Sequence, residues 1–313
     1  MRRASRMRVV VSGVTGLIGR RLAPHLAEAG HEVVGLSRDC LAARRKVPDL
    51  HDAYDWHWRG QKDEPQHEAL DGADVVIHLA GEPVAGRWTA AKRRKIEESR
   101  VRGTRALVEA FGHADAPPRV LLAASAIGYY GPTGDQPVTE ASPSGGDFLA
   151  RVCSRWEDEA IRAEELAVRV VRLRFGLVLG LDGGVLAEML PVFRLGLGGP
   201  LGSGAQWWSW VHEDDVTRMV DFALENDELR GPVNVTSPLP VRQRDFAETL
   251  GKVLHRPARL PVPRAALRLG LGSFASEVLT SRRVMPEVAR EAGFGFAYAD
   301  LESALRHLLD RPS

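Results

Sequence analysis

The sequence predicts an α/β fold in which helices cover both faces of a doubly wound parallel sheet, followed by a smaller C-terminal α/β region. Short apolar, β-branched segments alternate with segments of helical periodicity through the first 180 residues or so. A glycine-rich turn separates the first of these strands from the first helix. The chain has 313 residues, enough for about two domains at roughly 150 residues each.

The first element is a short strand at residues 7–11, and three glycines at a spacing of three residues follow it. Glycine at these positions permits a tight turn, lets the backbone approach a pyrophosphate, and lets the helix pack closely on the sheet. A second strand at residues 31–36 strengthens this interpretation over a purely structural turn. The predicted cofactor-binding residues of the turn are Gly13, Thr15, Gly16, Leu17, Ile18 and Gly19.

Ser37 and Arg38 follow the second strand, where an enzyme that uses NAD would place an acidic side chain on the ribose 2'-hydroxyl. A hydroxyl and a guanidinium suit a 2'-phosphate, because both form favourable hydrogen bonds with it. We therefore predict that the cofactor is NADP. The alternative is that Arg38 is an ordinary solvated loop residue.

Four more strands are predicted, at residues 74–81, 120–125, 168–175 and 231–235. The first of these ends in the small residues Leu79, Ala80 and Gly81, which we expect to face the nicotinamide ribose. A helix over about residues 89–111 follows it. Its basic run, residues 92–95, could suggest nucleic acid, but the acidic residues after it favour a solvated helix face.

The chain is expected to divide into two regions. Residues 1–180 plus 213–237 are predicted to form the NADP-binding domain, and residues 181–212 plus 238–313 a substrate-capping domain. A helix is expected from residue 213 to about 225, with acidic residues at its N-terminus. The capping domain should lie above the carboxyl ends of the strands, where doubly wound sheets bind ligands.

Taken together, these residues resemble an extended short-chain dehydrogenase/reductase with a Rossmann-type sheet, over nearly the whole chain. Within that superfamily the chain resembles the NADP-dependent "epimerase family" subgroup, which carries a C-terminal domain of unknown function. The segments that carry the resemblance are Gly13-x-x-Gly16-x-x-Gly19, His78-Leu79-Ala80-Gly81-Glu82-Pro83, Arg87-Trp88, Ser99-Arg100, Ser125, residues 175–180, 196–204 and 206–210, and Trp210-Val211-His212-Glu213-Asp214-Asp215. The resemblance also implies that Val178, in the segment 175–180, contacts the cofactor.

The sequence departs from the superfamily at its usual catalytic pair. Members normally carry Tyr-x-x-x-Lys, one helical turn apart, and a serine on the preceding strand that binds the substrate oxygen. Counting from Ser125, the tyrosine position falls at Phe148 and the lysine position at Val152. Both are apolar, so another group must handle the proton if hydride is transferred.

The predicted catalytic residues are therefore Ser125, Tyr129 and Tyr130, with the two phenols on the loop that leaves the strand. The alternative for each tyrosine is an amphipathic ring packed over that loop. Arg100 is predicted to clamp cofactor or substrate, and Glu82 to bind a ribose hydroxyl or act as a base.

Other reactive side chains are expected to be structural. Cys153 is predicted to be a small buried residue rather than a nucleophile, and His212 a structural histidine at a helix start. Three tryptophans lie within four positions, and strand alternation should place Trp208 and Trp210 on one face and Trp207 on the other. They could stack a sugar or base ring, or pack one domain on the other. No cluster of ligands has metal spacing, so no metal is predicted.

Composition restricts the class of partner. A net charge of +1 argues against nucleic acid, and no apolar run of about 18 residues could span a membrane. Two cysteines are consistent with a reducing compartment, and we predict the cytoplasm. The expected partner is a small-molecule substrate, and the chain is expected to be a monomer or homodimer.

We therefore predict an NADP-dependent oxidoreductase or epimerase-like enzyme that acts on an unidentified small carbonyl or sugar-nucleotide-like substrate. The alternative is a non-catalytic NADP-binding protein that regulates a partner or senses redox state. The missing pair at Phe148 and Val152 favours the alternative, whereas the elaborate glycine and tryptophan segment favours a bound substrate.

Overall fold

The computed structural model describes residues 6–58 and 64–310. Its strands, in chain order, are Arg8–Ser12 (β1), Glu32–Ser37 (β2), Asp52–Asp55 (β3), Val75–His78 (β4), Val120–Ala126 (β5), Pro137–Val138 (β6), Arg169–Phe175 (β7), Leu177–Leu179 (β8), Trp207–Trp208 (β9), Trp210–His212 (β10), Gly231–Val235 (β11), Val241–Arg242 (β12) and Arg283–Val284 (β13).

The helices are Leu17–Glu28 (α1), Cys40–Lys46 (α2), His67–Leu70 (α3), Ala90–His113 (α4), Phe148–Ile161 (α5), Gly184–Arg194 (α6), Glu213–Glu225 (α7), Gln243–Val253 (α8), Arg264–Leu271 (α9), Ala275–Val278 (α10), Glu287–Glu291 (α11) and Leu301–Leu309 (α12). Short 3-10 helices occupy Ile127–Tyr130 and Arg162–Leu166. In the described part of the chain, no helix combines the length and the hydropathy that a bilayer-spanning segment needs.

Seven strands form one sheet in the order β11-β7-β5-β4-β1-β2-β3, and every neighbouring pair is parallel. This confirms the predicted doubly wound sheet. All six predicted strands are present, and five lie within about one residue of their expected bounds, whereas β4 ends at His78, three residues before the predicted end at Gly81. The chain proceeds outward from β1 through β2 to β3, then returns to place β4 on the other side of β1. The crevice between β1 and β4 is therefore the topological switch point, where such sheets bind ligands.

Side chains that alternate along β1 enter two different cores. Val9 and Val11 pack with α1 and α7 on one face, whereas Val10 packs with α4 on the other. Because strand side chains alternate with a period of two, one run of valines supplies both faces. The sheet is buried on both sides, as a parallel sheet requires.

A third core holds the smaller region together. Leu186 of α6, Trp208, Trp210, Phe246 of α8 and Leu305 of α12 are all buried in it. Of the three two-stranded pairs, β12-β9 lies within this region, whereas β10-β8 and β13-β6 join it to segments that follow strands of the sheet. The predicted domain division remains a prediction, and its residues 1–5, 59–63 and 311–313 lie outside the described residues.

Candidate active site

The glycine turn and the end of β4 meet at the switch point. Gly13 has a φ of +70°, and a Cβ atom there would lie 2.9 Å from the backbone nitrogen of Ala80. Only glycine fits a left-handed position this close to another backbone. The structure thus brings Gly13 together with Leu79 and Ala80, and their binding of the cofactor stays a prediction.

A buried hydrogen-bond network holds the end of β4 against β1. The Ser12 hydroxyl oxygen accepts from the backbone nitrogens of Leu79 and Ala80, at 3.1 and 3.2 Å. Ser12 then donates to Nδ1 of His78, 2.6 Å away, and His78 Nε2 donates to the Thr104 hydroxyl at 2.9 Å. Burial lowers the pKa of His78 to about 3, so the ring is neutral and can act as both acceptor and donor.

The N-terminus of α1 opens toward this crevice. Gly16 is its N-cap and provides no side-chain cap. A Cβ atom on Gly19 would lie 2.5 Å from the carbonyl oxygen of Gly13, so the turn closes only with glycine there. Uncapped backbone N–H groups at a helix start suit a pyrophosphate.

The remaining residues of the turn contact the first core and the loop after β8. Thr15 and Leu17 are half-buried, and Ile18 packs on the first core. The Leu17 side chain and the Val178 carbonyl oxygen both lie 3.1 Å from the position of a Cβ atom on Gly184. Val178 is therefore close to the glycine turn, as its predicted role requires.

Ser37 and Arg38 lie where β2 ends. Ser37 is the last residue of the strand, and its hydroxyl oxygen accepts from the backbone nitrogen of Asp39 at 3.4 Å. The Arg38 side chain is exposed and makes no hydrogen bond or ion pair to any residue that the structure describes. A guanidinium in this state can bind an anionic ligand without first breaking an internal ion pair.

Glu82 is ionised and paired. Its Oε1 atom accepts from Lys92 Nζ at 2.8 Å, and this hydrogen bond is the main cause that lowers the pKa of Glu82. Its backbone nitrogen donates to the Ser99 hydroxyl at 2.9 Å. The contact with Lys92 makes Glu82 a weak base.

Arg100 places its guanidinium beside the end of β4. A Cβ atom on Gly81 would lie 3.2 Å from Arg100 Cζ. Nη1 donates to the carbonyl oxygens of Glu82 and Ile96, at 2.9 and 3.3 Å, and Cζ lies 5.0 Å from the centre of the Trp156 ring. Burial lowers the pKa of Arg100, but a guanidinium stays charged in proteins. A positive charge therefore borders the predicted nicotinamide position.

Ser125 belongs to a buried ionic network. Its hydroxyl donates to Glu157 Oε1 at 2.6 Å. The same carboxylate accepts from Arg174 through Nε at 2.7 Å and Nη2 at 2.8 Å, and from Arg172 at 3.1 Å. Because the Ser125 proton is directed at Glu157, its oxygen can only accept a further hydrogen bond.

The two adjacent tyrosines have different surroundings. The Tyr130 hydroxyl donates to Asn234 Oδ1 at 2.7 Å and accepts from Arg174 Nη1 at 2.9 Å. Burial raises the pKa of Tyr130 to about 12. Tyr129 is half-buried, with its ring 3.5 Å from Arg174 Cζ, and its hydroxyl has no hydrogen bond to any described residue.

The positions of the missing pair form an apolar surface on α5. Phe148 packs edge-on against Trp88, with ring centres 5.4 Å apart, and Trp88 also contacts Phe274 of the C-terminal region. Val152, one turn further on, is buried. Neither position offers a proton, as the sequence indicated.

Three expectations about structural side chains agree with the structure. Cys153 is buried, and burial raises the pKa of its thiol to about 12, which suits a packing residue. Trp208 and Trp210 share the third core. Trp207 points the other way, and its ring lies 4.2 and 4.7 Å from the guanidinium carbons of Arg242 and Arg283.

His212 caps α7 and contacts the last helix. Its Nδ1 accepts from the backbone nitrogen of Asp214 at 2.9 Å, and its Nε2 lies 3.1 Å from Nδ1 of His307. His212, Asp214 and His307 hold ligand atoms within 4.8 Å of one another, the spacing of a metal site. However, a neutral ring that accepts at Nδ1 carries its proton on Nε2, which leaves no lone pair for a metal. The prediction of no metal stays a prediction.

Sequence reasoning missed the partners of the predicted catalytic residues. Glu157, Arg174 and Asn234 are all buried polar residues that bond to Ser125 or Tyr130. One signal was present: the segment at residues 168–175 contains three arginines, although a central parallel strand is normally apolar. Buried arginines require buried acceptors, so a carboxylate partner could have been sought.

Comparison with protein families shows which family the chain belongs to. A model of the NAD dependent epimerase/dehydratase family matches residues 9–236. The chain belongs to that family. A second model, for a domain of unknown function, matches residues 262–308. Together they confirm the predicted membership of the extended short-chain dehydrogenase/reductases and the predicted kind of C-terminal domain.

Individual members of the family are similar over nearly the whole of this chain. The chain is 41% identical over 312 residues to "Epimerase family protein SDR39U1 homolog, chloroplastic" of Arabidopsis thaliana, covering 97% of this chain and 87% of the relative. It matches the crystal structure of human epimerase family protein SDR39U1 (isoform 2) with NADPH, with a TM-score of 0.85 and 30% identity, covering 98% of this chain and all of that one.

A third match is to the crystal structure of a nucleoside-diphosphate sugar epimerase from Corynebacterium glutamicum. The identity is 33% and the TM-score 0.76, covering 97% of this chain and 58% of that one. These matches show both the family and the fold of the chain, although it lacks the usual tyrosine and lysine at Phe148 and Val152.

Proposed function

We propose that this protein is an NADP-dependent oxidoreductase or epimerase-like enzyme that acts on a small carbonyl or sugar-nucleotide-like substrate. The observation that carries the proposal is the crevice between β1 and β4, where Gly13 approaches the backbone of Ala80 so closely that a side chain would not fit. A crevice of this kind at a switch point suits a dinucleotide.

The residues present fit the cofactor. The uncapped start of α1 suits the pyrophosphate, and the exposed Arg38 with Ser37 suits a 2'-phosphate. Arg100, beside Gly81, suits the nicotinamide half. When bound, the cofactor would supply or accept hydride. The NADPH in the human relative supports the choice of NADP over NAD.

Tyr129 is the proposed site of proton exchange. Its hydroxyl has no partner among the described residues, whereas that of Tyr130 is buried between Asn234 and Arg174. Ser125 is proposed to accept a hydrogen bond from a substrate hydroxyl, because its own proton goes to Glu157. Such an arrangement suits the alcohol form of a substrate better than the carbonyl form.

The substrate class is proposed from two observations. One relative is named a nucleoside-diphosphate sugar epimerase. The other observation is an aromatic cluster in this chain, formed by Trp88, Phe148 and Phe274. Phe148 stands at the position of the usual catalytic tyrosine, so the cluster lies where a substrate is expected. We also propose that the chain works as a monomer or homodimer in the cytoplasm.

A second candidate function is a non-catalytic NADP-binding protein that regulates a partner or senses redox state. The apolar residues Phe148 and Val152 favour it. So does the engagement of the hydroxyls of Ser125 and Tyr130 with buried internal partners.

One experiment separates the two functions. Purified protein is titrated with NADPH and NADH. It is then incubated with a panel of sugars, nucleotide sugars and small carbonyl compounds, once with NADPH deuterated at C4 and once with NADP+. Deuterium in a product, or conversion of a sugar to its epimer or ketone with NADP+, supports the enzyme. Tight NADPH binding with neither result supports the non-catalytic function, and failure to bind either nucleotide overturns both.

A further inference from the structure

The basic run at residues 92–95 divides between two faces of α4. Lys92 and Lys95 are three residues apart and so lie on one face of the helix. The two arginines between them have other partners: Arg93 lies 5.2 Å from the centre of the Phe148 ring, and Arg94 pairs with Glu98 at 3.8 Å.

Lys92 is held at the ligand edge of the sheet. Its Nζ atom binds Glu82, which follows β4, and both side chains are three-quarters buried or nearly so. The pair lies beside the crevice, because Glu82 comes directly after Gly81. A lysine fixed here brings a positive charge from α4 to the ends of the strands.

Arg38 and Lys95 complete the cluster around the same carboxylate. After the Lys92 hydrogen bond, the causes that lower the pKa of Glu82 include the charges of Lys95 and Arg38. Neither Lys95 nor Arg38 forms a hydrogen bond or ion pair within the described ranges, and both are exposed. Lys92 contacts the Glu82 carboxylate, and the charges of Lys95 and Arg38 also act on it, so these four side chains together carry a net charge of +2.

A surplus of this size matches the phosphate of NADP. A phosphate monoester carries about −1.5 to −2 charges at pH 7. The 2'-phosphate is expected at the end of β2, where Arg38 lies. The pyrophosphate is expected at the start of α1. The anion left for Lys92, Lys95 and Arg38 to bind is therefore the 2'-phosphate.

We propose that Lys92 and Lys95, together with Arg38, bind the 2'-phosphate and set the preference for NADP over NAD, with Glu82 orienting Lys92. This inference rests on the proposed function, since it assigns two further residues to the same cofactor. It gives Glu82 a positioning role rather than that of a base.

The test compares two charge deletions on the same helix. NADPH, NADH and 2',5'-ADP are titrated into wild-type protein, Lys95→Met and Arg94→Met, by calorimetry at 50 mM salt. Lys95→Met should bind NADPH and 2',5'-ADP about fivefold more weakly, as for one exposed ion pair, and NADH unchanged. Arg94→Met, the matched control, should bind all three as the wild type does.

Three results would overturn the inference. One is equal weakening by both variants, which would indicate only the general field of the helix; another is equal weakening of NADPH and NADH by Lys95→Met. The third is wild-type affinity for NADPH in both Lys95→Met and Lys92→Met. If the wild type itself binds NADPH and NADH equally, the NADP assignment fails as well, so the two failures are distinguishable.

Discussion

Tyr129 and Tyr130, on the loop after β5, differ in their surroundings, so their substitution by phenylalanine should have different effects. Tyr129→Phe should lower hydride exchange by about 10² to 10⁴, the usual contribution of a general acid or base, and leave the melting temperature unchanged. Tyr130→Phe should instead reduce the free energy of unfolding by about 1 to 3 kcal/mol, because Arg174 and Asn234 lose a buried partner.

The measurements are deuterium transfer from NADPH and thermal unfolding of both variants. A larger loss of transfer in Tyr130→Phe, with the fold intact, would exchange the proposed roles of the two tyrosines.

The two cysteines should differ in reactivity. Burial raises the pKa of both thiols, but Cys153 is fully buried with a pKa of about 12, whereas Cys40 is half-buried and accessible to a reagent. A colorimetric disulfide reagent should therefore modify one thiol in the native protein and two in denaturant. Cys40→Ser should leave the native protein unreactive, and rapid modification of that variant would show that the helix α5 opens.

Residue roles were the part of the site that sequence alone predicted least well. The glycines at positions 13, 16 and 19 act through backbone geometry, and their spacing alone indicates that geometry in the sequence. Ser125 and Tyr130 depend on Glu157 and Asn234, which are 32 and 104 positions away in the chain. No local pattern reports a contact of that separation.

At the scale of the element, the turn between β1 and α1 should tolerate no side chain at Gly19. A Cβ atom there would meet the carbonyl oxygen of Gly13, which is backbone and cannot move aside cheaply. Gly19→Ala should therefore abolish measurable NADPH binding and lower the melting temperature.

Gly112 near the end of α4 is the control, since a Cβ atom there has no neighbour within 4 Å. Gly112→Ala should bind NADPH normally and be as stable as the wild type or slightly more stable. Normal binding by Gly19→Ala would show that the turn can rearrange.

Elements with a strong period were predicted well and short ones were not. Strands β1 and β4 of the central sheet are runs of β-branched residues, and α4 begins at its cap, Thr89, within a residue of expectation. The two-residue strands β6, β9, β12 and β13 carry too few positions for a period to be visible. Their pairing depends on tertiary contacts.

For the whole molecule, the lowered pKa of His78 implies that the free energy of unfolding falls in acid. Its pKa is about 3 in the folded protein against 6.5 in the unfolded chain, so the unfolded chain binds one more proton between these values. The contribution of His78 is fully present above pH 6.5 and is lost as the pH falls toward 3. The slope should be about 1.4 kcal/mol per pH unit.

Urea unfolding between pH 4 and 7 measures this slope in wild-type protein and in His78→Gln, where it should be smaller by about one proton. The exposed His67 supplies the control, because His67→Gln should keep the wild-type slope. An unchanged slope in His78→Gln would mean that other groups cause the acid sensitivity.

The pairing of β13 with β6 has a consequence for biosynthesis. Arg283 lies opposite Pro137 in that pair, and Arg282 donates to the carbonyl oxygen of Gly131 at 3.1 Å. During translation, the loop that carries Tyr129 therefore lacks these partners until nearly 150 more residues have left the ribosome. At roughly 5 to 20 residues per second, that interval lasts about ten to thirty seconds. A nascent chain can fold its first strands early, but its candidate proton-exchange loop is completed only near the end of synthesis.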